Sequence, residues 1–464
     1  MKHWSVLAGI GALLAVPAFG QNLTPTGGIN VLKSVPGQNS AQNAMATSID
    51  AVCPTLNVAS NQPLLTSAQN DLKNVCNRMV GTALGASGGY GLSDPGLNSA
   101  LQQIAGEELT APRDQMVYLK QVQSILVATR LASLRGVAGG AQTAEYAGRS
   151  IPLQLAALGG DQVAQAGSPS VMDSRLQLFF NGSGGFSSRD ATTTSNAFDA
   201  VTGGVVAGAD YRLTNNFVAG GALGYSRFSA DFETSANVAS GEGSESDSIS
   251  VTMYGSYVLP SGLYANALFT YSHGFLNTTR RVVINSNTAQ PSENRTAEAD
   301  FGANQYDFAL SGGYQLSAGA LSIVPQARFE YVRTNIDSFS ESGASGLDLQ
   351  FDSQGIDSVT TALGVQLAYA VSTGFGILSP TLRGEWVHEF ANTASTTFKY
   401  ANDPTELSRV GLTFDSPDRN YFNLSAGMAA TFASGISGFV DYGTVLGLSD
   451  ISSHIFTIGA RIPL

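Results

Sequence analysis

Apolar and polar residues alternate along about twelve segments between residue 172 and the C-terminus. In LSIVPQARFEYVR (321–333), every second side chain is apolar, and most of those between are polar or charged. A period of two indicates a β-strand with one apolar and one polar face. The predicted strands lie at 172–186, 201–212, 215–232, 245–259, 262–276, 301–316, 320–334, 357–371, 375–391, 419–433, 435–448 and 452–464.

The connections between these segments alternate between short and long. The short ones are TNN (214–216), PSG (260–262), SAG (317–319), STG (372–374) and ASG (433–435). The long ones lie near 187–200, 233–244, 277–300, 335–356 and 392–418. An even number of strands with short turns at one end and long loops at the other is typical of a bacterial outer-membrane barrel. The sequence therefore predicts an all-β transmembrane barrel whose apolar face meets lipid.

Charge separates the chain into two parts. The net charge of −12 lies almost entirely in residues 171–464. An acidic surface argues against nucleic acid as a partner, because phosphates need cations. Only 12% of all residues are charged, which is about half the usual share.

The N-terminus, MKHWSVLAGIGALLAVPAFG, has the pattern of a secretory signal peptide over residues 1–20. Lys2 precedes an apolar run, and small residues stand at Ala18 and Gly20. A membrane anchor is the alternative, but a run of about eleven apolar residues is too short to cross a bilayer as a helix. The mature chain is therefore expected to be exported.

Residues 21–136 are predicted to form a small, mostly α-helical module. TSAQNDLKNVCNRMVGTAL (66–84) places Leu72, Val75, Cys76 and Met79 at helical spacing. A second predicted helix spans 112–136, beginning with a proline and ending at Arg135-Gly136. Residues 137–170 are rich in Ala, Gly, Gln and Ser and are interpreted as a linker that could thread the barrel lumen.

Cys53 and Cys76 are the only cysteines of the chain. Because an exported chain meets an oxidising compartment, we predict one disulfide between them. The alternative is two free buried thiols.

The sequence offers little support for catalysis. GASGG (85–89) matches the G-x-S-x-G pattern around Ser87, but that motif needs a preceding strand and a histidine partner. The histidines after residue 20 are His273, His388 and His454, all in predicted strands, on the outward register near strand ends. No His and Cys cluster has metal-ligand spacing. We therefore expect no enzyme activity, no metal and no cofactor.

Charged residues on the inward register form the better functional candidate. They can hydrogen-bond to one another, to water and to a threaded segment; the alternative is that they only fill and rigidify the barrel. The predicted lumen-facing charges are Asp210, Arg212, Arg328, Glu330, Arg383, Glu385, Glu389 and Arg461.

Residues from about 171 to the end resemble the autotransporter β-domain, the C-terminal translocator of type V secretion. The resemblance lies in GADYRLTNNFVAGGALGYSRFSADF (208–232), PTLRGEWVHEF (380–390) and HIFTIGARIPL (454–464). Such barrels usually end in Phe or Trp, whereas this chain ends in Leu464. The order and spacing of the segments carry the resemblance.

The resemblance implies a twelve-stranded barrel, a segment within its pore and a passenger moved to the cell surface. The implied partners are outer-membrane lipid, periplasmic chaperones and the barrel-assembly machinery, and the barrel is expected to be a monomer. A second hypothesis stays open: an outer-membrane channel or structural barrel whose N-terminal module remains periplasmic or plugs the pore.

Overall fold

The structure is a computed structural model that describes residues 30–58, 64–106, 142–146, 149–153, 175–192, 195–391, 395–413, 415–416, 418–432 and 436–463. The predicted signal peptide, the predicted helix at 112–136, most of the predicted linker and Leu464 lie outside the described residues.

Twelve antiparallel strands form a closed barrel, as the alternation predicts. Each strand pairs with its neighbours in sequence, and β12 pairs with β1 from Pro463↔Gln177 to Ile451↔Arg189, which closes the sheet. The strands are β1 (Leu176–Arg189), β2 (Phe198–Arg212), β3 (Phe217–Phe232), β4 (Gly243–Val258), β5 (Leu263–Ile284), β6 (Glu293–Tyr314), β7 (Leu321–Ile336), β8 (Gln354–Tyr369), β9 (Gly376–Glu389), β10 (Asn420–Phe432), β11 (Ser437–Leu446) and β12 (Ile451–Pro463).

The side-chain register of the barrel agrees with the predicted faces. On β7, Phe329 is 39% exposed on the outer wall, while its neighbour Glu330 is 4% exposed and points inward. Leu310 and Val365 also lie on the outer wall. A slip of one residue would exchange the two faces, so the register confirms that the apolar face points outward.

The two ends of the barrel differ. The short-turn end holds the connections β2–β3, β4–β5, β6–β7, β8–β9 and β10–β11, and the long-loop end holds the other connections. The prediction of a loop near 277–300 was wrong over most of that range, because β5 and β6 are 22 residues long and only 285–292 joins them. Beyond the lipid, TTRRVVI (278–284) no longer needs an apolar outer face, so the simple alternation that marks the other strands is lost.

The described part of the N-terminal module contains three α-helices: α1 (Ser40–Leu56), α2 (Ser67–Ala83) and α3 (Asp94–Ala105). Capping boxes start α1, at Asn39 and Gln42, and α2, at Thr66 and Gln69. Gly106, in the left-handed conformation with φ 65°, ends α3. The prediction for α2 is confirmed, whereas α1 and α3 were not predicted individually. No helix in the described part of the chain is both long enough and apolar enough to span a bilayer.

A disulfide joins Cys53 of α1 to Cys76 of α2, with the two Cα atoms 5.7 Å apart. The bond confirms the predicted pairing. It fastens α1 and α2 to each other.

Two long loops build a small sheet at the long-loop end. Its strands come from the β7–β8 and β9–β10 connections: Phe339–Ser340, Leu349–Phe351, Ser395–Tyr400 and Val410–Thr413. The largest apolar cluster of the described residues joins this sheet to the three helices and to the outer parts of β5 and β6. The helical module therefore lies at the long-loop end of the barrel.

Candidate functional site in the barrel interior and at its long-loop end

Four of the predicted lumen-facing charges form one network on the inner wall. Arg328 of β7 lies 3.0 Å from Glu330 and 3.5 Å from Glu385 of β9, measured between nitrogen and oxygen atoms. Arg383 reaches the other oxygen of Glu385 at 2.5 Å. Gln326 also donates to Glu385, at 2.8 Å. The arrangement neutralises buried carboxylates and leaves a polar wall that could hydrogen-bond to a polypeptide.

The other predicted charges face the interior but lie away from this network. Glu389, at the long-loop end of β9, accepts from Ser358 Oγ at 2.6 Å and from Val359 N at 2.9 Å. Asp210, near the short-turn end of β2, accepts from the Tyr254 hydroxyl at 3.3 Å. Arg212 and Arg461 also lie near the short-turn end, on β2 and β12.

The predicted set of lumen-facing charges does not include every acidic residue of the interior. Asp441 of β11 faces inward beside Gly427, where a Cβ would lie 2.5 Å from its carboxylate oxygen. Asp307 of β6 is also buried, at 5% exposure. Both residues stand on the inward register of their strands, so the alternation that identified the other charges also places these two in the interior.

The three barrel histidines lie on the outer wall toward the long-loop end. His273 bonds to Asn304 at 3.0 Å and His388 to Asn420 at 2.9 Å, in each case on the neighbouring strand. His454 shares a hydrogen bond of 2.7 Å with the Tyr442 hydroxyl. All three histidines thus stand on the outer wall, as the outward register predicts.

The same arrangement recurs around the wall. On each of four strands an aromatic residue is followed two positions later by a cation or a histidine, which stands directly opposite an Asp or Asn on the next strand. The sets are Tyr225, Arg227 and Asp247; Tyr271, His273 and Asn304; Tyr331, Arg333 and Asp357; and Trp386, His388 and Asn420. We call these residues the outer belt. Aromatic girdles of this kind mark a membrane–water interface.

The module contacts the long-loop end through α1, α2 and α3. Gln103 of α3 accepts a hydrogen bond from Val283 N of β5 at 2.7 Å. Asp71 of α2 accepts from Gly346 N at 2.9 Å. Ser48 of α1 donates to the carbonyl oxygen of Ser408 at 2.7 Å.

The chain is also present at the opposite end. The strand Gln142–Tyr146, paired with Arg149–Leu153, lies beside Val371–Ser372 at the short-turn end. The chain enters β1 at this end too, since Arg212 N donates to Arg175 O at 2.8 Å.

Ser87 has no catalytic surroundings. It lies exposed in the turn after α2, while all three histidines of residues 21–464 lie on the barrel wall. Within the described ranges, no group of three or more His, Cys, Asp or Glu side chains could hold a metal ion.

Comparisons with known proteins bear on the barrel. The family model of the autotransporter β-domain matches residues 178–443, from β1 to β11. The comparison with curated proteins gives no match. Among solved structures, the translocator domain of the autotransporter NalP from Neisseria meningitidis is similar at 15% identity and a TM-score of 0.48, over 62% of this chain and 88% of that one.

Two further solved structures are similar to this chain. The β-domain of the Bordetella autotransporter Brka has 19% identity and a TM-score of 0.44, over 63% of this chain and all 100% of that one. The transport unit of the autotransporter AIDA-I from Escherichia coli has 13% identity and a TM-score of 0.40, over 65% and 93%.

Proposed function

The chain belongs to the autotransporter β-domain family, and we propose that its barrel carries the N-terminal module across the outer membrane and holds it at the cell surface. Proteins of this family place their barrel in the bacterial outer membrane. In such barrels the short turns are periplasmic and the long loops are outside. The long-loop end, where α1, α2 and α3 lie, is then the cell surface.

One observation carries this proposal. The last described residue of the module, Gly106, lies at the long-loop end, whereas the chain enters β1 near Arg175 at the short-turn end. The connecting chain must therefore run from one end of the barrel to the other. Unpaired backbone cannot cross lipid on the outside of a barrel, so we propose that the connection passes through the lumen.

The position of Gln142–Tyr146 limits which residues can form the crossing segment. Because that strand lies at the short-turn end, residues 107–141 are our candidate for the crossing segment, in place of the predicted linker 137–170. The helix predicted at 112–136 falls within this range. At about 1.5 Å per residue it would be roughly 37 Å long, enough for a hydrocarbon core of about 30 Å.

The network around Arg328 and Glu385 supports a role for the lumen in this crossing. Its mixed charges can hydrogen-bond to a threaded segment without binding it as tightly as a wall of one sign would bind an opposite charge. The lumen-facing residues are therefore proposed to contact the connecting chain as well as to stiffen the wall. Secretion and display, rather than catalysis, are the proposed activity, with the barrel-assembly machinery and periplasmic chaperones as the partners that the family implies.

The alternative is a channel whose module stays periplasmic. It is disfavoured because the helices share their core with the long loops, which would have to face the periplasm. The two hypotheses therefore differ in the side of the membrane on which the helices and the long loops lie.

Cysteine labelling of intact cells tests the proposal. Cysteine at Ser87, exposed in the module, should react with a membrane-impermeant maleimide. Cysteine at Ser317, exposed in the β6–β7 turn, is the matched control and should react only after the outer membrane is permeabilised. Labelling at Ser317 but not at Ser87 on intact cells would reverse the topology and restore the periplasmic hypothesis.

A further inference from the structure

We propose that residues 30–106 form a resident cap: their fold is completed by the barrel's own long loops, and they stay bound there when the connecting chain is cut. Surface location of the cap rests on the proposed function, but its docking does not. A passenger that folds by itself needs no such partner and can be released after secretion. The contacts that distinguish these cases lie between the helices and the long-loop end.

The cap and the loops share a single apolar core. Leu72 and Met45 of the helices are 1% and 0% exposed, and in the same cluster Leu347 and Phe351 of the β7–β8 loop are 0% and 1% exposed. Without the helices, these loop side chains would face water. Burial of apolar surface is the main stabilising term in folding. Neither the helices nor the long loops therefore have a complete core alone.

Stacked aromatic rings tie this core to the barrel wall. Phe301 of β6 stacks on Phe339 with ring centroids 3.9 Å apart, and Phe339 stacks on Phe351 at 4.9 Å. Phe398 of the β9–β10 loop continues the stack at 5.3 Å from Phe351. The surface that receives the helices is thus continuous with β6.

Arg280 of β5 is the buried centre of the docking surface. It pairs with Glu341, and both side chains are 1% exposed. Its guanidinium also donates to the carbonyl oxygen of Gln103 in α3, at 3.1 Å, and to that of Leu347, at 2.9 Å. These two bonds satisfy a buried cation with acceptors from the cap and from the loop. Without α3, the acceptor from the cap is lost.

A second set of charges fastens α2. Arg295 of β6 donates to both carboxylate oxygens of Asp71, and Arg78 pairs with Glu293 of the same strand. Glu293 also accepts from the Tyr90 hydroxyl, at 2.8 Å. Ionic hydrogen bonds of this kind fix the register between two surfaces as well as adding stability.

The closest approach occurs at Gly346. A Cβ at this position would lie 2.3 Å from Leu72 N and 2.8 Å from Ala68 O, both on the backbone of α2. Backbone atoms cannot move aside as a flexible side chain can, so a larger residue at 346 must separate the loop from the helix. Gly374, at the short-turn end, offers a matched control because nothing lies within 4 Å of its Cβ position.

The test cuts the connecting chain of the full mature protein. A site for a specific protease is inserted between Ala157 and Leu158, an affinity tag is placed at the N-terminus, and the protein is purified in detergent and cut. We expect the barrel fragment to remain with the tagged fragment in the parent protein and in Gly374→Leu. In Gly346→Leu the retained fraction should fall roughly ten-fold, which corresponds to about 1.4 kcal/mol.

Heat-modifiable gel mobility checks that each barrel is folded. If Gly346→Leu does not assemble, Asp71→Ala, which removes one carboxylate partner of Arg295 and the acceptor for Gly346 N, carries the test and should also lower retention. Release from the parent protein would overturn the proposal. Equal retention in all variants would overturn it too, because the threaded chain would then be what holds the fragments together.

Labelling at Ser87 on intact cells separates this proposal from the proposed function. If the module is labelled on intact cells but released on cutting, the result supports secretion and contradicts the proposal of a resident cap. A module that is retained on cutting but not labelled outside leaves the cap standing and removes secretion.

Discussion

Arg328 of β7 reaches across the strand between them to Glu385 of β9, with nitrogen and oxygen 3.5 Å apart. Arg383 also pairs with Glu385, but of these two arginines Arg328 alone pairs with Glu330 as well. Arg328→Ala therefore removes a cationic partner from each of two buried carboxylates. We expect the free energy of unfolding to fall by about 3–5 kcal/mol. Arg383→Ala leaves Glu385 with Arg328 and Gln326, so roughly 1 kcal/mol is expected. The unfolding midpoint, followed by heat-modifiable mobility, should rank the variants in this order; equal midpoints would contradict the network.

Arginine on the lipid-facing wall should interfere with assembly according to depth. Val365 in the middle of β8 and Val371 in the short turn are both 41% exposed. Val365→Arg should destabilise the barrel by about 2–4 kcal/mol, whereas Val371→Arg, near the interface, should change it by about 0–1 kcal/mol. The assembled fraction in outer membranes is the measurement. Equal yields of the two variants would place Val365 outside the lipid band.

The disulfide between Cys53 and Cys76 should stabilise the module against local unfolding. Its 23-residue separation corresponds to roughly 3 kcal/mol in the chain-entropy model. We expect the Cys53→Ala/Cys76→Ala variant to be digested by a surface-added protease much faster than the parent. Reductant added to the parent should reproduce that rate. Two reactive thiols in the denatured, unreduced parent protein would show that the bond does not form.

Docking of the cap should depend on pH through Asp71. Burial alone would raise the pKa of this carboxyl, but hydrogen bonds from Arg295 and Gly346 N outweigh it and hold the pKa below its ordinary value of 3.8. A depressed pKa contributes stability above the unfolded value, and that contribution is lost as pH falls through the folded one. Retention of the cut cap should therefore weaken below about pH 4. The Asp71→Asn variant should retain less of the cut cap at neutral pH and should lose the part of the pH dependence that comes from this carboxyl. An unchanged pH profile of retention would exclude Asp71 as its source.

Much of the barrel could be predicted because lipid imposes a strict rule on its outer wall. Leu310 and Val365 must be apolar, so the period of two is visible in the sequence. Outside the lipid the rule ends, and Arg280 lies in the stretch 277–300, for which the sequence predicts a loop. The inward charges around Glu385 followed from register alone, but their distances depend on neighbours that are far apart in sequence.

The module was harder to predict for a related reason. In α1, SAQNAMATSIDAVCPTL (40–56), small and polar residues pack beside Met45 and Ile49, and Ser48 and Asp50 are buried as well. A helix that docks on another surface over much of its circumference has no clean polar face. Its amphipathic pattern is therefore blurred, whereas α2 retained enough of the pattern to be recognised.

The length of the β5–β6 hairpin has a mechanical consequence. Its 22 cross-strand pairs run unbroken from Leu263↔Tyr314 to Ile284↔Glu293, whereas roughly 9–11 residues of a tilted strand suffice to cross a membrane. A pull on the outer part of this hairpin along the membrane normal has a large component parallel to the tilted strands. That component shears the backbone hydrogen bonds that join the hairpin to β4 and β7, so many of them bear the load at once instead of opening one after another. The hairpin is thus a stiff extension of the barrel wall. Drag or a tethering force on the helices would be transmitted through it to the membrane-embedded sheet.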